Sequence, residues 1–448
     1  MNSMKMALLA GAAIAVTAAG AQADDLEALK AQIETLNARV AAMETAPAVP
    51  AGYQLIAVSE GDMQATPGLG FSAKELAAYG SKSTIISVLP TADAPAGTTI
   101  SWSGYARAGL VYKDSSSEVT VTNEGGYENS EDSDSVDNSD IDVRARGQLR
   151  VKASTDTAVG EVGVDIRLRG NFNGNGDANV YSDVAWGYWA MTPELTFGGG
   201  YGGSLGNIGY GYDGACNCYY TDNADLGFNP GDTTQMRLSY ASGPMSMAVA
   251  LEDASIGGDE INGDQLGVAG ELKYSGDAVN GEISAVYHSW DEEGVFEELD
   301  SDWQVGAGIG FNLGDMASLS LAAAMGKGPF TIEEEGQIID GWAVNQSWWG
   351  VSGLVSFGLT DAVHAEVAAG YKERDFDVPS GYSLDYETYG MLAGIYYSPV
   401  DQLTIGVEGE WYTSDTHYTE DTSDPDDLGE VEIEDDNMSV DLVTVWRF

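Results

Sequence analysis

From Thr99 onward the chain is made of segments of about ten residues in which apolar and polar side chains alternate. The breaks between them alternate as well, short then long. Sixteen segments can be counted: 99–112, 140–154, 160–172, 180–191, 194–202, 233–241, 244–253, 264–275, 279–290, 302–312, 316–326, 346–358, 362–373, 386–398, 401–413 and 436–448. A period of two puts successive side chains on opposite faces of a β-strand. One face is apolar: Trp102, Ala106, Ala108, Leu110 and Tyr112; Ile283, Ala285 and Tyr287; Ile405, Val407, Gly409 and Trp411. The other face is small or polar. The short breaks (TDTAVG, TPE, SGPM, SGDAVN, NLGD, GLTD, SPVDQ) are turn-rich and the long ones are acidic.

Such strands could form a soluble sandwich or a closed barrel. A sandwich core calls for large Leu, Ile and Phe, whereas these faces carry Ala, Gly and Val, with Tyr and Trp near the strand ends. Strictly alternating short and long connections suit an up-and-down barrel with turns at one rim and loops at the other. The strand count is even. The fold expected is all-β, a 16-stranded antiparallel transmembrane barrel at 99–448, apolar towards lipid and polar towards the lumen. The final strand, NMSVDLVTVWRF, then has lipid over its apolar face and the first strand beside it, so that no edge remains.

Composition excludes some partners. With 71 acidic against 19 basic residues the net charge is −52. Nucleic acid is excluded, because phosphate binding needs a basic surface, and so are anionic headgroups held by basic clusters. Two cysteines, Cys216 and Cys218, give no disulfide framework, and one residue apart without a nearby His they make a poor zinc site. His288, His364 and His417 lie far apart in sequence. GGGYGG lacks a following Lys-Ser/Thr and is not a phosphate loop. No nucleophile–base arrangement is evident, so no enzyme is expected. The metal question is open. Carboxylate-rich outer loops suit Ca²⁺, but none follows the spaced twelve-residue calcium loop, and no other cofactor is expected.

The N-terminal part is organised differently. Residues 1–23 have a basic start at Lys5, a small-residue apolar run and an Ala21-Gln22-Ala23 site, which reads as a cleaved secretory signal peptide. In 24–45, Leu26, Leu29, Ile33, Leu36, Val40 and Met43 form a short coiled-coil seam. Its a and d residues lean towards a dimer, and alone it is marginal in length. A single amphipathic helix packed on its own chain is the alternative. Residues 46–98 read as a linker and a small periplasmic module or plug-like element: two short strands flank SAKELAAYG, where Ser72 and Glu75 form a capping box for a short helix.

The barrel opening TTISWSGYARAGLVY, the segment PELTFGGGYGG and the terminal VTVWRF, together with the signal peptide, resemble the general bacterial porins, especially those of alphaproteobacteria. The resemblance covers about 99–448. It implies an outer-membrane homotrimer of a Gram-negative bacterium, in contact with outer-membrane lipid and lipopolysaccharide, passing small hydrophilic solutes and ions. It implies that Phe448 is the signal read by the outer-membrane assembly machinery. It also implies that the loop at about 203–232 folds inwards to constrict the pore. The coiled coil and residues 53–98 depart from the simplest porins, and leave open a structural barrel tethering the envelope. A substrate-selective channel, for carbohydrate for example, also stays open.

Against that frame the rare cations stand out. Arg144, Arg146, Arg150 and Lys152 share one parity with Asp142 and Gln148, while Arg167 and Arg169 share one with Glu161 and Asp165. Arg107 joins them from the first strand. On the lipid face an Arg or Lys at mid-depth costs ~2–4 kcal/mol, so these face the lumen. They are expected to form a basic wall, answered across the constriction by Asp213, Asp222, Asp225 and Asp232 of the loop. The alternative is a wall that only salt-bridges and stiffens the loop.

Overall fold

A computed structural model describes residues 55–63, 65–69, 78–89, 97–123, 130–172, 178–208, 228, 231–253, 266–288, 302–314, 316–334, 337–377, 382–420 and 430–448. The signal peptide, coiled coil and capping box therefore lie outside the described residues. The chain separates into two compact units, Met1–Ala57 with Ile86–Thr98 and Val58–Ile85 with Thr99–Phe448. The second contains the barrel.

Two short strands come first, β1 (Leu55–Asp62) and β2 (Lys82–Leu89), and pair with each other. The barrel follows: β3 (Thr98–Asn123), β4 (Ser130–Thr157), β5 (Gly160–Phe172), β6 (Ala178–Ala190), β7 (Leu195–Gly203), β8 (Asp232–Ser242), β9 (Met245–Asp253) and β10 (Leu266–Ser275). It continues with β11 (Val279–His288), β12 (Asp302–Asn312), β13 (Ala317–Glu334), β14 (Gln337–Thr360), β15 (Val363–Asp377), β16 (Tyr382–Val400), β17 (Leu403–Glu420) and β18 (Glu430–Arg447). Strands β3 to β18 each pair with the next in sequence, and β18 returns to β3 from Glu430↔Thr122 to Arg447↔Tyr105. The ring of sixteen is closed. Phe448 N–H donates to Gly104 O at 3.1 Å and Gly104 N–H to Phe448 O at 3.3 Å, so pairing runs to the rim.

Parity follows the sequence reading. On β18, Val440, Leu442 and Trp446 are 44, 50 and 48% exposed, while the intervening Val443 and Val445 are 0% exposed. On β5, Val162, Val164, Ile166 and Leu168 point out, and Asp165 and Arg167 point in. Tyr and Trp mark two levels of the outer face: Trp189, Tyr240, Tyr397 and Trp446 towards the short turns, and Tyr287, Trp349, Tyr389 and Trp411 towards the loops. This is the aromatic girdle of a membrane barrel.

Several strands outrun the segments read from sequence. The acidic stretches flanking 99–112 and 140–154 were expected to be loop, yet β3 and β4 are 26 and 28 residues long. Past the bilayer level both faces of a strand are wet. Backbone pairing can therefore continue without alternation, and its sequence signal fades.

The closed ring makes a direct expectation for Leu442, midway between the aromatic levels. Leu442→Arg should lower unfolding free energy in lipid vesicles by about 2–4 kcal/mol, whereas Val136→Arg on the loop-side extension should leave it nearly unchanged. Urea titration followed by tryptophan fluorescence measures both.

Candidate functional site

The site is the inner surface of the barrel. A short turn joins β4 to β5, β6 pairs with β5, and the inward parity of β4 and β5 carries six of the nineteen basic residues. Register sets Arg150 opposite Arg167, Gln148 opposite Arg169 and Lys152 opposite Asp165. Two guanidinium groups face to face repel unless carboxylates lie between them. The first carboxylate is Asp165, fully buried. Arg150 Nη2 donates to its Oδ2 at 2.7 Å, and Nε lies 3.0 Å from both oxygens. A further carboxylate, Asp183, answers Arg169. On β6 the register slips, with Arg167 opposite Val184 and Leu168 opposite Ser182, so Asp183 is an extra residue. This bulge turns Asp183 and Val184 both inwards. Asp183 Oδ2 then accepts from Arg169 Nη2 at 2.7 Å and from Gln148 Nε2 at 2.8 Å, while Tyr105 OH donates to Gln148 Oε1 at 2.5 Å.

The remaining cations of this wall are placed as follows. Arg146 Nε donates to Asn171 Oδ1 at 2.5 Å, and Arg144 lies 3.8 Å from Asp142. Arg107 and Arg167 are buried on the inward parity. Lys152 stands 5.8 Å from the Tyr188 ring, whose OH donates to Glu161 at 2.6 Å. All seven basic residues expected from sequence thus share the inner surface of β3, β4 and β5.

The described residues of the loop after β7, 204–208 and 228, lie against inward side chains of other strands. Ser204 Oγ donates to Glu252 Oε2 at 2.7 Å, and Leu205 N–H to Glu252 Oε1 at 3.0 Å. Gly206 O accepts from Ser284 Oγ at 3.2 Å and from Gln304 Nε2 at 3.0 Å. Gln304 Nε2 also donates to Phe228 O at 2.8 Å, and the Phe228 ring stacks on Trp348 at 6.2 Å. Glycines on the wall make room. A Cβ on Gly350 would sit 2.7 Å from Phe228 Cε1, and one on Gly306 would collide with Ile208 Cδ1. Among the four loop aspartates, Asp213, Asp222 and Asp225 lie outside the described residues, as do Cys216 and Cys218. Asp232 is exposed at the start of β8, with the outward parity of Met236 and Leu238. It does not share the inward parity of Gln235 and Arg237 on the same strand.

The lumen holds charges that sequence reasoning missed. Arg237 on β8 is 5% exposed, 5.3 Å from the Trp186 ring, and its Nη2 donates to Gly203 O at 2.7 Å. On β9 to β12, His288 Nδ1 is 3.2 Å from Asp302 and its Nε2 is 3.7 Å from Glu252. Lys273 lies 2.5 Å from Glu271 and 3.7 Å from Glu282. Glu408 and Asp441 face each other in register on β17 and β18. The alternation in QMRLSY puts Arg237 inside and could have flagged it. Nothing local distinguishes the other acids from solvated ones. His364 and Glu366 share the inner parity of β15 as read, with His364 stacked 4.8 Å from Tyr396. Among the described residues no three His, Cys, Asp or Glu side chains are grouped as metal ligands would be.

An apolar exterior around a charged interior, closed by strand pairing, defines an outer-membrane β-barrel channel. The profile of the Porin subfamily matches residues 96–440, and the chain belongs to that family. No curated protein matched the chain. Among solved structures it is similar to the outer membrane channel DcaP of Acinetobacter baumannii, with 14% identity, TM-score 0.52, and 78% of this chain and 97% of that one covered. It is also similar to OmpF of Salmonella typhi, solved with daunomycin, with 12% identity, TM-score 0.50, and coverage of 76% and 97%.

The buried pair at the centre of the wall gives a stability test. Asp165→Ala removes the buried carboxylate paired with Arg150 and should cost about 3–5 kcal/mol. Adding Arg150→Met should recover part of that loss, read as the urea midpoint of the purified protein in detergent.

Proposed function

We propose that the chain forms a water-filled channel through which small hydrophilic solutes and ions diffuse passively. In this reading the loop after β7 narrows the lumen and faces the basic wall of Arg107, Arg144, Arg146, Arg150, Lys152, Arg167 and Arg169. The observation that carries it is the set of hydrogen bonds tying Ser204, Leu205, Gly206 and Phe228 to the inward side chains Glu252, Ser284 and Gln304. These bonds join the described residues near the two ends of the loop to the inner surface at buried points.

The electrostatics of the narrowing follow. Arg150, Arg169 and Lys152 are largely engaged by Asp165, Asp183 and main-chain oxygen. Arg144 and Arg146, nearer the loop side, remain partly exposed and set the local field. The acidic outer extensions concentrate cations at the mouth, and the basic wall opposes them inside. Trimeric assembly in the outer membrane, after removal of residues 1–23, is the quaternary state proposed. Phe448 is proposed as the residue read by the assembly machinery, and Ca²⁺ as an ion at the acidic outer loops.

Purified protein should give stepwise ion conductance in planar bilayers, and folded protein without conductance would overturn the reading. In asymmetric KCl, Arg144→Ala with Arg146→Ala should shift the reversal potential towards cation preference, changing the permeability ratio by roughly a factor of two or more.

A further inference from the structure

We propose that the segment carrying Ala65–Leu69 and Ala78–Gly80 is an internal plug, inserted by the chain into its own pore at the short-turn end. The channel reaches its full conductance only when this segment is withdrawn. The inference rests on the channel reading above.

The first half is a tight turn. Leu69 N–H donates to Thr66 O at 3.0 Å, Pro67 occupies the second position, and Gly68 has φ +75° at the third, as a type II turn requires. The turn is gripped by inward side chains of the barrel. Lys152 Nζ donates to Ala65 O at 2.8 Å. Arg150 Nη2 donates to Thr66 Oγ1 at 2.8 Å, and that hydroxyl donates to Asp165 at 2.5 Å. Arg237 Nη1 donates to Gly68 O at 3.0 Å. Leu69 packs with Val184, Trp186 and Tyr188 of β6.

The second half is held by other strands. Arg447 Nε on β18 donates to Ala78 O at 3.0 Å. Tyr79 is 2% exposed and meets Tyr105 of β3 edge-on at 5.5 Å. It packs among Leu392, Tyr396, Val443 and Val445. One segment therefore touches inward side chains on β4, β5, β6 and β8 and also on β3, β16 and β18.

The wall itself is built for cover. Val443 and Val445 face the lumen yet are 0% exposed, and Leu354 and Leu392 are nearly so. Apolar side chains lining an open aqueous pore would hold costly hydrated surface, which the segment removes. The grip is also reversible in kind. Three of the cations, Lys152, Arg237 and Arg447, hold main-chain carbonyls, and the described residues of the segment, 65–69 and 78–80, include no carboxylate. Where the segment leaves its stem, Met63 N–H donates to Ser81 O at 2.8 Å and Lys82 Nζ meets Asp62 at 2.5 Å, so the stem stays paired without the plug.

That stem supplies the test. Residues 64–80 are replaced by Asn-Gly, a two-residue hairpin turn joining Met63 to Ser81. A second variant, Thr66→Val with Arg237→Gln, loosens the grip and keeps the chain length. Folding of each is checked by heat-modifiable gel mobility, and conductance is read in planar bilayers. The replacement should raise single-channel conductance by roughly twofold or more over the parent, since the narrowest section limits flow. The second variant should visit that same higher level intermittently. Folded variants that both stay at the parental level would overturn the plug while leaving the channel intact. If the replacement does not fold, the second variant decides alone. Silence from parent and variants alike would sink the channel reading, and the plug with it.

Discussion

Hydrocarbon offers no partner to a peptide N–H or C=O, so every backbone group of a spanning sheet must find one within the sheet. That requirement governs this structure. It forces β18 back onto β3 and leaves no edge within the described ring. The pairing of Phe448 with Gly104 carries closure to the short-turn rim. Once the ring closes, alternation assigns the residues at bilayer depth to lipid or lumen, the bulge on β6 excepted. A single slip would exchange the two sets, and the exposed Leu442 and buried Val443 show how sharply they differ.

The interior then has the opposite problem. Arg150 and Arg167 are set face to face by register, and neither can turn outwards without meeting lipid. Asp165 answers Arg150 from within, and the bulged Asp183 answers Arg169 beside it, the second by departing from strict pairing. The bulge is thus an electrostatic device as much as a geometric one. It delivers a carboxylate between Arg169 and Gln148 at a place where regular alternation would have pointed that residue at lipid.

Described residues of two segments lie against the inner surface of the ring. Ile208 and Phe228, from the loop after β7, lie on a wall of Gly306, Gly350 and Ala324, where small residues admit them. The turn at Thr66–Leu69 is met by charged side chains and its partner residue Tyr79 by apolar ones. Each inner surface is matched to what covers it. The lumen of this porin is therefore a set of distinct linings, and the cations nearest the short turns hold protein.

The sixteen strands, their order and the direction of nearly every side chain were legible in the residues, because a period of two is a local signal and each face meets one solvent. The seven basic residues from Arg107 to Arg169 were placed on the inner surface for the same reason. Strand ends beyond the bilayer were not legible, since wet faces impose no pattern on Asp114 or Asp137. Nor was the role of Asp165, Asp183 and Arg237 as partners, or the seat of Thr66 and Tyr79 in the lumen. Those depend on closure, which brings residues 99 positions apart, Thr66 and Asp165, within a hydrogen bond. Periodicity tells each side chain which way to face; only the closed ring decides what it finds there.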